Sequence, residues 1–223
     1  YTTEHTLSLH DALPISAEEP GFLPESGEKM RDIDYAISIR PYFSLAEKCG
    51  DTARVYVDKD CFLALIDVLG HGANARQIAI IAENYLDEFH EGDLIKIMRG
   101  MQKLLFGTRG AVVACCRFDK ESGKLDYSGI GNISLKIFGI SQTTLITKDG
   151  IVGYGDVNPH EGTCYLKPGD VFLMSTDGIR EHFDILDCKD LLQLDAASIA
   201  SGIIKRFATK EDDAACIVMK YLK

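Results

Sequence analysis

Four stretches of the chain place aspartate where it can do chemistry. Asp51 follows Gly50, and Asp67 closes the apolar run Cys61-Phe-Leu-Ala-Leu-Ile66 just before the turn Gly70-His71-Gly72. Asp177-Gly178 ends the apolar run Val171 to Thr176, and Asp212-Asp213 immediately precedes the apolar segment Ala214 to Tyr221. Taken singly, each is an ordinary turn signal, since aspartate and glycine punctuate strand ends. Taken together they pose an electrostatic problem. Carboxylates converging at buried strand ends are costly to desolvate and repel one another unless cations hold them. An all-oxygen donor set without His or Cys partners favours Mg²⁺ or Mn²⁺ over Zn²⁺. Two such ions, roughly 3.5–4 Å apart, can share a bridging carboxylate and activate a water for in-line attack on phosphorus.

The segments around these aspartates must bring them together. Tyr35-Ala-Ile37-Ser-Ile39 alternates with period two and reads as a half-buried strand ending before Pro41. Ala53 to Val57 and Cys61 to Ile66 flank Asp58-Lys-Asp60 and read as a hairpin whose second strand is buried on both faces. Ile78, Ile81, Ala82, Tyr85, Leu86 and Phe89 follow a helical period and predict the buried face of a first helix. A second helix is expected from the N-cap Asp93 to Gly107, and a third from about Ala196 to Phe207. Between them the chain is strand-rich: Ala111 to Cys116, Lys124 to Ser128, Ser134 to Phe138, Thr144 to Thr147, Asp170 to Thr176 and finally Ala214 to Tyr221. Local hairpins with helices set apart from them predict antiparallel sheets in an α+β layered fold.

Composition narrows the class of function. The 223 residues carry 24 Lys+Arg against 34 Asp+Glu, a formal net charge of −10. That balance argues against a nucleic-acid partner held by phosphate neutralisation and against a polybasic membrane-surface protein. No apolar run approaches the length of a membrane span. The seven cysteines are odd in number, include no C-x-x-C pair and sit mostly inside apolar runs, which points to free thiols in a reducing cytoplasm. Tyr1 to Ser16 has no helical or strand period and resembles translated sequencing-adapter text, so it is set aside as foreign to the fold. Ala17 to Glu28, with its prolines, glycines and glutamates, reads as a loose lead-in.

Ile66-Asp67-Val-Leu-Gly-His-Gly72, Ser175-Thr-Asp177-Gly-Ile179 and Asp212-Asp213 before an apolar strand resemble the signature blocks of the metal-dependent Ser/Thr protein phosphatases, the PPM or type-2C family, with Gly50-Asp51 as the fourth block. Thr108-Arg-Gly-Ala-Val-Val and Ser128-Gly-Ile-Gly-Asn132 between the blocks resemble the bacterial SpoIIE/RsbX branch. With no sensor segment ahead of the catalytic part, the likeness leans to RsbX. The resemblance implies a four-layer α-β-β-α sandwich of two antiparallel sheets flanked by helices. It also implies residues 1–32 as a tail and 33–223 as one phosphatase domain.

The resemblance assigns roles as well. Asp67 would bridge two Mn²⁺ or Mg²⁺ ions, with the Val68 carbonyl, Asp177, Asp212 and Asp51 as further ligands and Asp213 as an accessory one. His71 would either donate a proton to the leaving group or support the glycine turn. The arginine that gathers phosphate in eukaryotic members has no placed counterpart, and Arg54 and Arg109 are candidates. The substrates implied are phosphoserine or phosphothreonine residues of STAS-domain regulatory proteins in a stressosome pathway. The alternative is an inactive module of the same fold that docks to those partners. Ala214-Ala215 departs from the hydroxyl-bearing residues usual after the last aspartate pair, a change expected to touch packing more than ligation.

Overall fold

In the computed structural model, residues 26–42, 45–155, 157–180 and 189–223 are described. They form two antiparallel sheets. One has six strands in the order β1 (Ser26–Lys29), β2 (Ile33–Arg40), β11 (Ala214–Tyr221), β10 (Val171–Ser175), β7 (Ser134–Phe138), β8 (Gln142–Leu145). The other has five, in the order β3 (Asp51–Val57), β4 (Cys61–Val68), β5 (Ala111–Phe118), β6 (Lys124–Ile130), β9 (Glu161–Tyr165). Helices α1 (Ala73–Phe89) and α2 (Leu94–Leu104) cover the five-stranded sheet, and α3 (Ala196–Phe207) covers the six-stranded one. The expected α-β-β-α sandwich is the fold observed.

The central strands explain why this layering is stable. Along β4, Cys61, Leu63 and Leu65 point into the core between the sheets, while Phe62, Ala64, Ile66 and Val68 point under the helices. β11 divides the same way: Ala215, Ile217, Met219 and Tyr221 face the inter-sheet core, and Ala214, Cys216 and Val218 face α3. A strand apolar on both faces can only be satisfied by layers on both sides. The thiols Cys61, Cys115, Cys116 and Cys216 are buried in these strands as small hydrophobic fillers. Burial pushes the Cys115 and Cys61 thiols up to about 12, so they are inert as nucleophiles. Among the described residues, no helix is long and apolar enough to cross a membrane.

Two sequence expectations need correcting. The folded part begins before residue 33: Ser26–Lys29, placed in the tail and partly in the loose lead-in, is strand β1 and pairs antiparallel with β2. The buried side of α1 is also rotated from the predicted one. It consists of Ala75, Ala79, Ala82, Glu83 and Leu86, whereas Ile81 and Phe89 are 44% and 45% exposed. The helix lies close to β3 and β4, and the alanines permit that approach where isoleucines would hold it off. α2 and α3 follow expectation: the Asp93 and Asp195 side chains cap them by accepting from the Lys96 and Ser198 N–H groups at 3.0 and 2.7 Å.

Candidate metal centre

The aspartates meet at one end of the sandwich, where strand ends from both sheets converge. In the five-stranded sheet, pairing of β3 with β4 sets Asp51 directly opposite Asp67. In the six-stranded sheet, Ser175 of β10 pairs with Cys216 of β11, so the turn carrying Asp177 lies beside the Asp212-Asp213 segment. Bonds made by Thr176 and Gly50 join the two sides. The Thr176 hydroxyl donates to Asp51 Oδ2 at 2.8 Å and accepts the Ala215 N–H at 2.9 Å. The Gly50 N–H donates to Asp213 Oδ2 at 2.8 Å.

Backbone demands account for the glycines in the motifs. Gly70 and Gly72 take φ of +74° and +90°, the left-handed region that glycine enters without strain. At Gly178 a Cβ would stand 1.7 Å from the Asp213 carbonyl oxygen, so only glycine lets the two aspartate segments touch.

A cavity of about 380 Å³ opens at this junction, with Asp67, Asp177, Asp212, Asp149, Gly70 and Asn132 in its wall. The charges in it are poorly balanced. Burial and then the neighbouring Asp177 and Asp212 carboxylates push the Asp67 carboxyl up to about 7, with Asp51 beside it giving a partial offset. Asp51, only 3% exposed, is pushed well above the usual carboxylate range, first by burial and next by Asp67, with the Thr176 hydroxyl opposing. Asp212 is raised as well, by burial foremost and also by Asp177 and Asp213, while the Asp213 N–H on its Oδ1 at 2.8 Å and the nearby His71 lower it. Asn132 Nδ2 donates to Asp177 Oδ2 at 2.9 Å.

These carboxylates fit hard divalent ions. All the donors are oxygens, and the partner of Asp51 Oδ2 is the neutral Thr176 hydroxyl, not a Lys or Arg side chain. Among the described residues no group of three His, Cys, Asp or Glu forms a ready site for one ion. A small octahedral cation suits such a sparse arrangement, because it keeps several waters and takes only one or two carboxylates.

The remaining expected residues fall into different places. Val68 is buried, its N–H pointing to the Gly50 carbonyl at 3.4 Å and its own carbonyl crowding the Gly50 turn. Asp213 does not line the cavity: its Oδ1 and Oδ2 accept the N–H groups of Tyr42 and Gly50, at 2.7 and 2.8 Å. His71 is exposed, its ring centroid 5.3 Å from that of Tyr42. Arg54 is turned away, bound to Glu83 and Asp87. Arg109 stands at the rim, donating to the Leu69 carbonyl at 3.0 Å beside Gly70.

Four residues at the site lacked an assigned role at the sequence level. Asp149 and Asn132 line the cavity from loops, Thr176 holds Asp51, and Arg40 donates to the carbonyl of Asp212 at 3.0 Å. Asp149-Gly150 repeats the Asp-Gly signal, but no apolar strand leads into it. Arg40 ends β2 with no motif around it and gave no signal.

Known proteins carry the same architecture. Residues 58–222 match the family model described as Stage II sporulation protein E (SpoIIE). A structure described as "The bacterial stressosome: a modular system that has been adapted to control secondary messenger signaling" is 31% identical, with a TM-score of 0.77 over 86% of this chain and 100% of that one. RsbX in complex with magnesium is 18% identical with a TM-score of 0.77, over 89% of this chain and 100% of RsbX. The catalytic domain of the serine/threonine phosphatase PstP with two manganese ions is 18% identical with a TM-score of 0.64, over 86% of this chain and 99% of that one. No curated protein matches the chain significantly. With the family model spanning most of the folded residues, the chain belongs to the SpoIIE family and has its PP2C-type phosphatase fold.

Proposed function

We propose that the chain is a metal-dependent phosphoserine/phosphothreonine protein phosphatase whose substrates are STAS-type regulatory proteins of a stressosome-like pathway. The observation that carries this is the convergence of Asp51, Asp67, Asp177 and Asp212 from the ends of both sheets, with burial and mutual repulsion raising Asp51, Asp67 and Asp212. A fold that keeps such a cluster at a cost to its own stability needs a cation to settle it. Asp67, Asp177 and Asp212, with the Val68 carbonyl and with Asp51 behind Asp67, are the residues that would hold two Mn²⁺ or Mg²⁺ ions. Those ions, when bound, supply a water activated for in-line attack and neutralise charge on the phosphoryl group.

The chain's own residues then have distinct tasks. Thr176 orients Asp51 from the other sheet, and Asn132 fixes the rotamer of Asp177. Asp213 acts as an anchor for the backbone of Gly50, holding the turn that presents Asp51. His71, exposed and near Asp212, is a candidate to exchange a proton with solvent or with a departing serine oxygen. The similarity to RsbX and to the stressosome-related structure supports regulatory phosphoproteins as the substrate class. The buried free thiols of Cys61, Cys115 and Cys116 suit a reducing cytoplasm.

The test is hydrolysis of p-nitrophenyl phosphate and of a phosphorylated STAS protein with and without Mn²⁺. Metal-dependent release of phosphate from both is expected. If neither is turned over at saturating metal, the phosphatase reading fails and a docking module of the same fold takes its place.

A further inference from the structure

One wall of the cavity is a glycine-rich loop. Asp149, Gly150 and Ile151 line the cavity, and the chain then continues through Val152, Gly153, Tyr154 and Gly155. Three of these residues, Gly150, Gly153 and Gly155, have φ of +141°, +98° and +56°. Such a glycine-rich path loses much backbone entropy on ordering, so something must hold it. Val152 is tied to the first residue of β5, exchanging bonds with Ala111 at 2.8 and 3.0 Å.

Beyond Val152 the tie comes from α2. Gln102 Oε1 accepts the Gly153 N–H at 2.8 Å, and its Nε2 donates to the carbonyls of Gly155 and Tyr154 at 2.9 and 3.4 Å. A primary amide is the one neutral side-chain group with an acceptor and two donors on a single carbon, so it can meet an N–H and two carbonyls at once. The fit is close: a Cβ at Gly153 would stand 2.5 Å from the Leu105 carbonyl just after α2. Gln102 sits next to Met101, which is buried against the five-stranded sheet, so the clamp is mounted on a rigid support. The clamped loop turns the Tyr154 side chain outward, 53% exposed.

We propose that Gln102 is a positioning residue for recognition of the protein substrate: by clamping Gly153–Gly155 it fixes the cavity wall against which the polypeptide flanking the phosphorylated residue rests. This rests on the phosphatase reading and adds what that reading lacks, a device that distinguishes a phosphoprotein from a small phosphate ester. A phosphoserine inside a polypeptide brings chain on both sides of the reacting group. An aryl phosphate brings none and needs only the aspartates and their ions. Loosening the loop therefore weakens binding of the first and leaves the second unchanged.

The experiment compares wild type, Gln102→Ala and Gln102→Glu, each with saturating Mn²⁺, on p-nitrophenyl phosphate and on a phosphoserine peptide. Glutamate keeps the shape and the acceptor but replaces the donors with charge that repels the Tyr154 and Gly155 carbonyls. Both variants should raise KM for the peptide about tenfold while changing kcat/KM for the aryl ester less than about twofold. Hydrogen exchange, which needs no turnover, should show the Gly153 amide losing protection in Gln102→Ala. Equal losses on both substrates, no loss on either, or unchanged protection at Gly153 overturns the proposal while the phosphatase reading stands. A wild type inactive on both substrates overturns both.

Discussion

Two acidic clusters lie back to back on β3, and they are balanced in opposite ways. Asp51 and Thr52 are consecutive, so their side chains leave opposite faces of the strand. On one side Asp51 meets Asp67 and its neighbours, and burial with mutual repulsion drives both carboxyls up. On the other side Thr52 donates to Glu83 of α1, which also receives Arg76 Nη1 at 2.6 Å and Arg54 Nη2 at 2.9 Å. Burial pushes Glu83 up too, but Thr52, Arg76 and Arg54 outweigh it and leave the carboxyl below its ordinary value. Both clusters contain nearly buried acids, with Asp51 3% and Glu83 6% exposed. The difference is the source of the countercharge. Glu83 finds it in Arg54 and Arg76 and pins α1 to β3, whereas Asp51 and Asp67 face mainly other carboxylates.

The largest effect should come from breaking the uncompensated side. Asp67→Asn removes the carboxylate proposed to be shared by the two ions, so phosphatase activity should fall at least about a thousandfold, roughly 4 kcal/mol of transition-state stabilisation. The metal-free variant should melt no lower than the metal-free wild type, because a repulsive charge has been removed. Steady-state rates and thermal melts without metal check the two halves. Turnover near wild type, or a variant that melts far lower, would remove Asp67 from its central place.

Breaking the compensated side should do the reverse. Glu83→Ala strands two arginines that are each about a third exposed, with side-chain exposures of 31% for Arg54 and 27% for Arg76. Fully buried pairs cost about 3–5 kcal/mol to break, and solvent at the arginines lowers that to about 2–3 kcal/mol. For a chain of this length the melting temperature should drop by about 5–10 °C. The Mn²⁺ concentration for half-maximal activity, measured well below that temperature, should stay the same. If it shifts, the two sides of β3 are one functional unit and the contrast fails.

The contrast between the clusters also marks what could be seen in the sequence. Asp67 and Asp177 were visible because a buried strand, a charge and a glycine lie together in the chain, and the backbone geometry at Gly70 and Gly178 is local to each motif, while Asp212 was visible because an aspartate pair directly precedes the apolar strand β11. β4 and β11 were visible because both their faces are buried. The Glu83 cluster was not, since it joins residues 29 and 31 apart in sequence across two elements. Nor was the anchoring role of Asp213, whose partners lie 171 and 163 residues away. The α1 face was misassigned because residue size, not hydrophobic period, decides which side fits against the sheet. Strand β9 escaped because an edge strand with exposed Glu161 and Tyr165 has no core pattern to announce it.

The smallest expected effect is a slope with pH, and its sign separates the two clusters most cleanly. Asp67 lies at about 7 in the fold against an ordinary value of 3.8, so the metal-free folded chain holds more protons than the unfolded chain between those limits. Stability contributed by its protonated form is therefore present at low pH and lost as pH rises toward 7. Asp51 and Asp212, also raised, act in the same direction. The lowered carboxyls, Glu83 among them and Asp190 at about 2, are ionised in both states above pH about 5 and contribute no slope there. Metal-free protein should thus melt a few degrees higher at pH 5.5 than at pH 8, by roughly 2–4 °C per kcal/mol. Saturating Mn²⁺ should shrink or reverse the difference, because ions compete with protons for the same oxygens and stabilise the fold by mass action. Asp67→Asn should flatten the metal-free slope, and Glu83→Ala should lower the whole curve without changing it. A metal-free slope of the opposite sign would mean that the aspartates already find their countercharge inside the chain.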